Sequence, residues 1–246
     1  MSRLLDLTHQ AEADHFWFQG FRQFVSPVIA QVAAGRPGLR LLDCGCGTGS
    51  NLGLLAPHGR SMGFDLADGG LAIARKAGRV VAKGDVTRMP IASDSCDVVA
   101  SFDVLQCVAD DRAALREMAR VTRPGGAVVL TLAALEVLSG DHAEVWSEVR
   151  RYSPELARQR VEEAGLRLER TSFMFGSLFP MMFCLRVLQR LTRPFRTVRD
   201  DTDIAVPSYP VNRVLSMVVR AEAALAGRVA MPFGSSLLVV ARKPGS

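Results

Sequence analysis

The run Leu39-Arg40-Leu41-Leu42-Asp43-Cys44 ends on Gly45-Cys46-Gly47-Thr48-Gly49, and this junction constrains the fold more than any other part of the chain. A short apolar run bounded by glycines reads as a buried strand. The glycines after it allow positive φ and a close backbone approach to a ligand, so the strand turns sharply and hands over to a helix. The same alternation repeats downstream. Gly59 to Asp65, Gly78 to Asp85, Cys96 to Asp103 and Gly126 to Ala133 read as further strands. Between them, Asn51 to Ala56, Gly70 to Ala77 and Asp111 to Gly126 read as helices. The last is the clearest: Leu115, Met118 and Val121 form an apolar stripe, and Pro124-Gly125-Gly126 ends it. Strands alternating with helices predict an α/β, doubly wound, Rossmann-like parallel sheet.

After Ala133 the pattern changes. A helix with Pro154 at its first position runs from Ser153 to Ala164. Leu166 to Met174 supplies a sixth strand, and Ser235 to Lys243 a seventh, expected to be antiparallel. Two or three helices fill the insertion between them. The N-terminal stretch also reads as helices, with Phe18, Phe21, Phe24, Val25 and Val28 at helical spacing. The expected organisation is a single domain over 1–246. It has an N-terminal helical segment (1–36), a core (37–175 and 233–246) and a helical insertion (176–232).

Composition closes off several alternatives. Hydrophobic residues make up 48% and charged residues 22%, so the chain folds around a core. The net charge of +5 comes from scattered arginines with no dense basic run, which argues against a nucleic-acid partner. Cys44, Cys46, Cys96, Cys107 and Cys184 are odd in number and irregular in spacing, as in a reducing compartment, and no second pair completes a zinc site. The N-terminus interrupts its apolar residues with charges and histidines, unlike a signal peptide. The longest apolar stretch, Phe173 to Leu185, falls short of the roughly 20 residues that span a bilayer. The expectation is a cytoplasmic protein without a membrane span.

A glycine loop after a strand does not identify its ligand. Dehydrogenases prefer G-x-G-x-x-G, whereas this loop reads D-x-G-x-G-x-G. About twenty residues on, Asp65 ends the second strand, where a carboxylate can accept both hydroxyls of a ribose. Asp85 ends the third and can bond an adenine edge. The fourth carries Asp97 and ends in Ser101-Phe102-Asp103, and Arg123-Pro124-Gly125-Gly126 precedes the fifth.

With these motifs in order over Leu39 to Leu132, and a closing strand pair after them, the chain resembles the class I, seven-stranded S-adenosylmethionine-dependent methyltransferases. The resemblance is strongest to the group that contains ubiquinone and menaquinone C-methyltransferases and small-molecule O-methyltransferases. It implies S-adenosyl-L-methionine as cofactor and S-adenosyl-L-homocysteine as product. It also implies roles. Gly45, Cys46, Gly47, Gly49 and Asn51 form the loop beneath the methionyl and ribose parts. Asp43 helps hold the methionyl ammonium through water. Asp65 takes the ribose diol with Leu66 beside the adenine, and Asp85 and the Val86 N–H take the adenine edge. Ser101 and Phe102 meet the sulfonium. Relatives place a similar aromatic segment as a lid, which gives Trp17 a cation–π role and Arg22 the methionyl carboxylate. The alternative for Trp17 is an amphipathic helix docked by its aromatic face. One departure stands out: where relatives often carry L-E-H-V, this chain has Leu105-Gln106-Cys107-Val108, so no histidine is available there and Cys107 reads as packing.

Methyl transfer needs positioning and exclusion of water, and a base only when the nucleophile arrives protonated. His15, Asp103, His142 and Glu144 are the candidate bases, with no metal cluster among them. The acceptor expected is a small, lipophilic or secondary-metabolite molecule, and monomer and homodimer both stay open. Two rival readings are a methyltransferase-like scaffold without turnover and a dinucleotide oxidoreductase. The loop spacing opposes the second.

The insertion is apolar from Phe173 to Leu185 and then basic, with Arg186, Arg190, Arg193, Arg196 and Arg199. It reads as a helix packed on the sheet edge, as the wall of an apolar acceptor pocket, or as a face that rests on an anionic membrane. Asp200 to Pro210 reads as an exposed acidic loop, and Val211 to Gly227 as a second amphipathic helix.

Overall fold

A computed structural model describes residues 2–193 and 205–245. Arg196, Arg199 and most of the acidic loop expected from Asp200 lie outside the described residues. Seven strands form one sheet in the order β3-β2-β1-β4-β5-β7-β6. They are β1 (Leu39–Cys44), β2 (Gly59–Asp65), β3 (Val81–Lys83), β4 (Cys96–Phe102), β5 (Thr122–Ala133), β6 (Arg167–Met174) and β7 (Ser236–Arg242). β7 runs antiparallel between β5 and β6, and the other pairings are parallel.

Helices cover both faces, so the central strands are apolar without a break. Leu41, Val98, Ala100 and Val129 face one core, completed by α2 (Phe16–Ala33), the one-turn α3 (Leu52–Leu55) and α9 (Tyr209–Ala226). Leu42, Val99, Val128 and Leu130 face the other, closed by α5 (Asp111–Val121) and α7 (Pro154–Glu163). The remaining helices are α1 (Ser2–Ala11), α4 (Asp68–Lys76), α6 (Asp141–Val145) and α8 (Phe179–Thr192).

Three boundaries differ from expectation. α5 stops at Val121, not Gly126: the Thr122 hydroxyl caps the Met118 carbonyl at 2.6 Å, and Thr122 already pairs with Cys96 as strand. β3 shrinks to three residues at the sheet edge. The short α6 carries no apolar periodicity that a sequence reading would find.

Gly20 sets how closely α9 lies on α2. A Cβ there would sit 2.3 Å from Val219 Cγ1 and 3.2 Å from Phe175 Cε1. Alanine inside a helix ordinarily gains up to about 1 kcal/mol over glycine. Here Gly20→Ala is expected to lose about 1–3 kcal/mol instead, because overpacking outweighs propensity. Chemical denaturation measures the sign.

Candidate cofactor and acceptor site

The glycine loop leaves the carboxyl end of β1. Gly45, Gly47 and Gly49 take φ of 81°, 50° and 76°, the left-handed region in which side chains are strained. Gly45 and Gly49 are also pressed: their Cβ atoms would meet Val104 and Ala74. Gly47 meets nothing within 4 Å, so its bare face opens outward, where a ligand can approach the backbone. The loop is fixed from below. Phe64 O accepts from the N–H of Gly45 and Cys46, and Asp65 Oδ2 accepts from Gly47 N at 2.7 Å. Cys46 is buried, its sulfur filling the space that Gly63 leaves without a Cβ.

The helix after the loop is too short to offer a terminal anion site. α3 is one turn, and the N–H groups of Leu52, Gly53 and Leu54 already bond Gly49, Ser50 and Asn51 carbonyls. Asn51 is its N-cap residue and makes no side-chain cap bond. Any ligand here must be held by side chains and by the loop itself.

Asp43 is the most telling of these side chains. It is 1% exposed, and neither carboxyl oxygen has a hydrogen-bond partner. Burial, and then the charge of Asp65, push its pKa up to about 7. A fully buried carboxyl without a donor is costly, and its chemistry suits a cationic hydrogen-bond donor.

Around the loop, Asp65 Oδ1 also accepts from Ala67 N at 2.7 Å, so both of its oxygens brace backbone while keeping spare lone pairs. Leu66 is 59% exposed beside it. Asp85 is exposed, with Oδ1 accepting from Thr87 N and Oγ1, bonds that lower its pKa. Val86 is buried. Ser101 donates to Cys44 O at 3.0 Å and ties β4 to the loop, while Phe102 is buried edge-on against Phe21. Their side chains are therefore spent on packing. Asp97 lies at the other end of β4, bonded to Arg40 N and paired with Arg123.

The N-terminal segment reaches the loop differently from expectation. Trp17 stacks flat on Phe175 with ring centroids 3.8 Å apart, the docking arrangement and not an open aromatic face over the loop. Arg22 donates to Glu12 O at 2.8 Å, which occupies one of its guanidinium donors. The contact to the loop is made by Glu12, whose Oε1 accepts from the Thr48 hydroxyl at 2.6 Å. His15 is buried and accepts from Trp17 N as the N-cap of α2. Burial lowers its pKa and keeps it a neutral acceptor, so it serves the helix and is not open to a substrate.

A second group of polar side chains gathers beyond β4 and β5. Asp103 follows β4 with φ 56°, a left-handed conformation held by its N–H bonding Thr131 O and Oγ1. Such strain in a non-glycine residue is typical of functional positions. Asp103 lies in a cleft: many atoms crowd its carboxyl, yet the residue stays exposed. The crowding, opposed by bonds from Thr131 and Gln106 and modulated by Glu148 and Arg151, pushes it up to about 6, and solvent in the cleft moderates that push. Behind it, Glu148 and Arg151 pair at 2.8 Å with side chains 4% and 7% exposed. Gln106 Oε1, Trp146 Nε1 and Arg151 Nε are buried there without partners. His142 Nε2 stands 4.0 Å from Glu148 Oε1. Glu144 is exposed and pairs with Arg193 at 2.8 Å, away from this group. Cys107, read from the sequence as packing, is exposed instead, and crowding, Glu148 and Asp103 push its thiol up to about 12. Glu12, Glu148 and Arg151 escaped the sequence reading. The only hint of the last two was their spacing of three.

A cavity of about 490 Å³ lies between Ala33, Arg36, Pro37, Pro57 and Gly59. It opens at the amino ends of β1 and β2, opposite the loop. Ligands of open α/β sheets bind at the carboxyl ends, so the chemistry points to the loop and not to this cavity. Among the described residues, no group of three or more histidines, cysteines or carboxylates is placed to hold a metal.

Comparison with known proteins agrees with this geometry. Residues 42–130 match the family model described as methyltransferase domain. Malonyl-[acyl-carrier protein] O-methyltransferase of Serratia marcescens is 35% identical over 121 residues, 48% of this chain and 47% of that one. Demethylmenaquinone methyltransferase of Mycobacterium sp. (strain KMS) is 36% identical over 134 residues, 53% of this chain and 55% of that one. The match thus spans about half the length of these relatives. Among solved structures, phosphoethanolamine N-methyltransferase 2 of Haemonchus contortus, in complex with S-adenosyl-L-methionine, superposes with TM-score 0.65 at 17% identity, covering 99% of this chain and 57% of that one. The [4+2]-cyclase SpnF superposes with TM-score 0.59 at 21% identity, covering 91% and 82%. Sheet order, antiparallel β7 and glycine loop define the class I methyltransferase fold. Residues 42–130 thus carry a methyltransferase domain, set in a sheet whose order and antiparallel β7 are those of the Rossmann-like methyltransferase fold.

Proposed function

We propose that this chain transfers a methyl group from S-adenosyl-L-methionine to a small, lipophilic acceptor. The observation that carries the cofactor part is Asp43, a buried carboxyl with two unpartnered oxygens beneath three left-handed glycines. An ammonium group, directly or through a water, supplies a donor to that carboxyl. Gly45, Gly47 and Gly49 let the methionyl and ribose parts approach the backbone. Asp65 takes the ribose diol with its spare lone pairs, Asp85 accepts from the adenine amino group and Leu66 flanks the ring. The Val86 N–H completes the adenine edge. Trp17, Cys46, Ser101 and Phe102 act by packing the walls, and Asn51 by starting α3. Arg22, which donates one bond to Glu12 O, offers its remaining donors to the methionyl carboxylate.

When bound, the cofactor supplies a methyl group on a sulfonium that already leaves readily. The chain's own task is to seat the acceptor, exclude water and hold its proton. In this reading Asp103 takes the proton, with Glu148 and Arg151 behind it. A lipophilic acceptor fits the exposed apolar side chains of α8 near Glu148 and the demethylmenaquinone methyltransferase among the relatives. Peripheral contact with a lipid surface belongs to the same reading.

Isothermal titration is expected to give micromolar binding of S-adenosyl-L-methionine and its demethylated product. Asp65→Ala should weaken both by about 10–100-fold, since a bidentate carboxylate–diol contact and the brace under Gly47 are lost together. Absence of binding to the unaltered protein rejects the reading. Tight NADH binding in its place favours an oxidoreductase, and cofactor binding without methylation of any acceptor in a metabolite screen leaves a silent scaffold.

A further inference from the structure

Helix α8 is inside out. Of its 14 residues, the fully buried one is Arg186, while Met181, Phe183, Leu185, Leu188 and Leu191 are exposed, the last two at 57% and 70%. Its docking is polar. Arg186 packs against Gly140 and bonds Gln189, and its charge bears on Glu148. Arg190 donates to the carbonyls of Val137 and Ser139 at 2.6 and 2.9 Å, and Arg193 pairs with Glu144. A helix on a water-facing surface turns its apolar stripe to the protein and its charges outward. This one buries Arg186 near Glu148, keeps Arg190 and Arg193 bonded to the neighbouring segment, and leaves five large apolar side chains outward.

Helix α9 adds to the same character. Val219, Ala223 and Ala226 face the core, and Val211, Val214, Met217, Val218 and Leu225 stand outward. Arg213, Arg220 and Arg228 are exposed among and after them. Among the described residues of the two helices the one carboxylate is Glu222, and it is engaged by Gly176 N, Ser177 N and the Ser177 hydroxyl. Residues 176–232 carry eight arginines and four carboxylates, hence four of the chain's five net positive charges.

We infer that the outward faces of α8 and α9 rest on an anionic lipid surface, from which the acceptor enters the cleft at Asp103. The exposed apolar side chains of α8, beside those of α9 with Arg213, Arg220 and Arg228 among and after them, and with no free carboxylate among the described residues of the two helices, suit the boundary between headgroups and acyl chains. The arginines also favour a membrane over a second copy of this chain. A two-fold interface would bring the exposed arginines of α9 together, and among the described residues of the two helices the one carboxylate, Glu222, is already engaged. The inference rests on the proposed lipophilic acceptor, but its test does not depend on knowing it.

The test is sedimentation of the full chain with vesicles of phosphatidylcholine alone, and of phosphatidylcholine with about one third phosphatidylglycerol. Binding is expected to be at least about tenfold stronger to the anionic vesicles and to fall as salt rises. The double variant Leu188→Glu, Leu191→Glu should lose about tenfold or more of it, because two carboxylates replace apolar anchors. Titration with S-adenosyl-L-homocysteine keeps the outcomes separate, since these exposed positions lie outside the cofactor loop and the variant should bind it as the unaltered protein does. Cofactor binding without vesicle binding overturns the lipid surface and leaves the proposed function standing. So does vesicle binding that the variant retains in full. A doubled mass by light scattering that the variant abolishes, with no vesicle binding, assigns the face to a second copy.

Discussion

Asp43→Asn is expected to bind S-adenosyl-L-methionine about 10–100-fold more weakly at pH 8 while making the cofactor-free protein more stable at that pH. The two effects have one cause. Burial raises the Asp43 pKa to about 7 in the free protein, above the ordinary value of 3.8. Between those two pH values the folded state holds a proton that the unfolded chain has released, so this group's contribution to stability falls as pH rises. Above pH 7 the folded protein carries a buried carboxylate without a partner, which costs on the order of a few kcal/mol. Asparagine removes that cost and, with it, the counter-charge for the ammonium. The unaltered protein should also bind the cofactor about tenfold more weakly at pH 6 than at pH 8, because only about a tenth of Asp43 is then ionised. Asp43→Asn should show none of that dependence. Titration at several pH values, in buffers of different protonation enthalpy, measures the affinities and the proton released on binding. Thermal unfolding at pH 5 and 8 gives the stability side. An Asn variant that is both less stable and equally pH-dependent would mean that Asp43 is structural only.

The sequence carried the frame well because burial on both faces leaves a clear mark. β1 and β2 start and stop where the apolar runs do, and the late strand pair follows the change of pattern after Ala133. It also carried the acidic residues at strand ends, since those positions project from the sheet whatever their neighbours. What it could not carry were contacts between distant segments. Nothing around Glu12 announces that it reaches Thr48, 36 residues on. The partner of Trp17 is Phe175, brought there by the return of the chain after β6. The helix expected over Asn51 to Ala56 is a single turn, because Ala56-Pro57-His58 forms a 3-10 turn and β2 begins at once. The apolar insertion was read correctly as a helix, but which way its stripe faces depends on Arg186, Arg190 and Arg193 finding polar partners on another segment.

Glu148 shows why the acceptor side is harder to read than the cofactor side, and Asp103 gives the means to test it. Asp103→Asn should lower methyl transfer to a neutral hydroxyl acceptor by about 10²–10⁴-fold, the usual contribution of a positioned base, with cofactor affinity nearly unchanged. The group raised to about 6 is protonated and unable to act below that pH, so kcat/KM of the unaltered protein should rise through about pH 6 and level off above it. Crowding of the carboxyl sets that point first, and four side chains adjust it: Thr131 and Gln106 hold the charged form by hydrogen bonding, Arg151 favours it and Glu148 opposes it. Glu148→Gln removes the opposing charge, so the acid limb should move to lower pH. A purely structural role for Glu148 would lower the rate without moving the limb. The chemistry offers a second discriminator. An acceptor already ionised at the assay pH, such as a strongly acidic phenol, needs no base, so Asp103→Asn should methylate it nearly as fast as the unaltered protein does. Equal losses on ionised and neutral acceptors would instead assign Asp103 to shaping the cleft. The proton would then leave through water or through His142, the remaining titratable candidate beside Glu148.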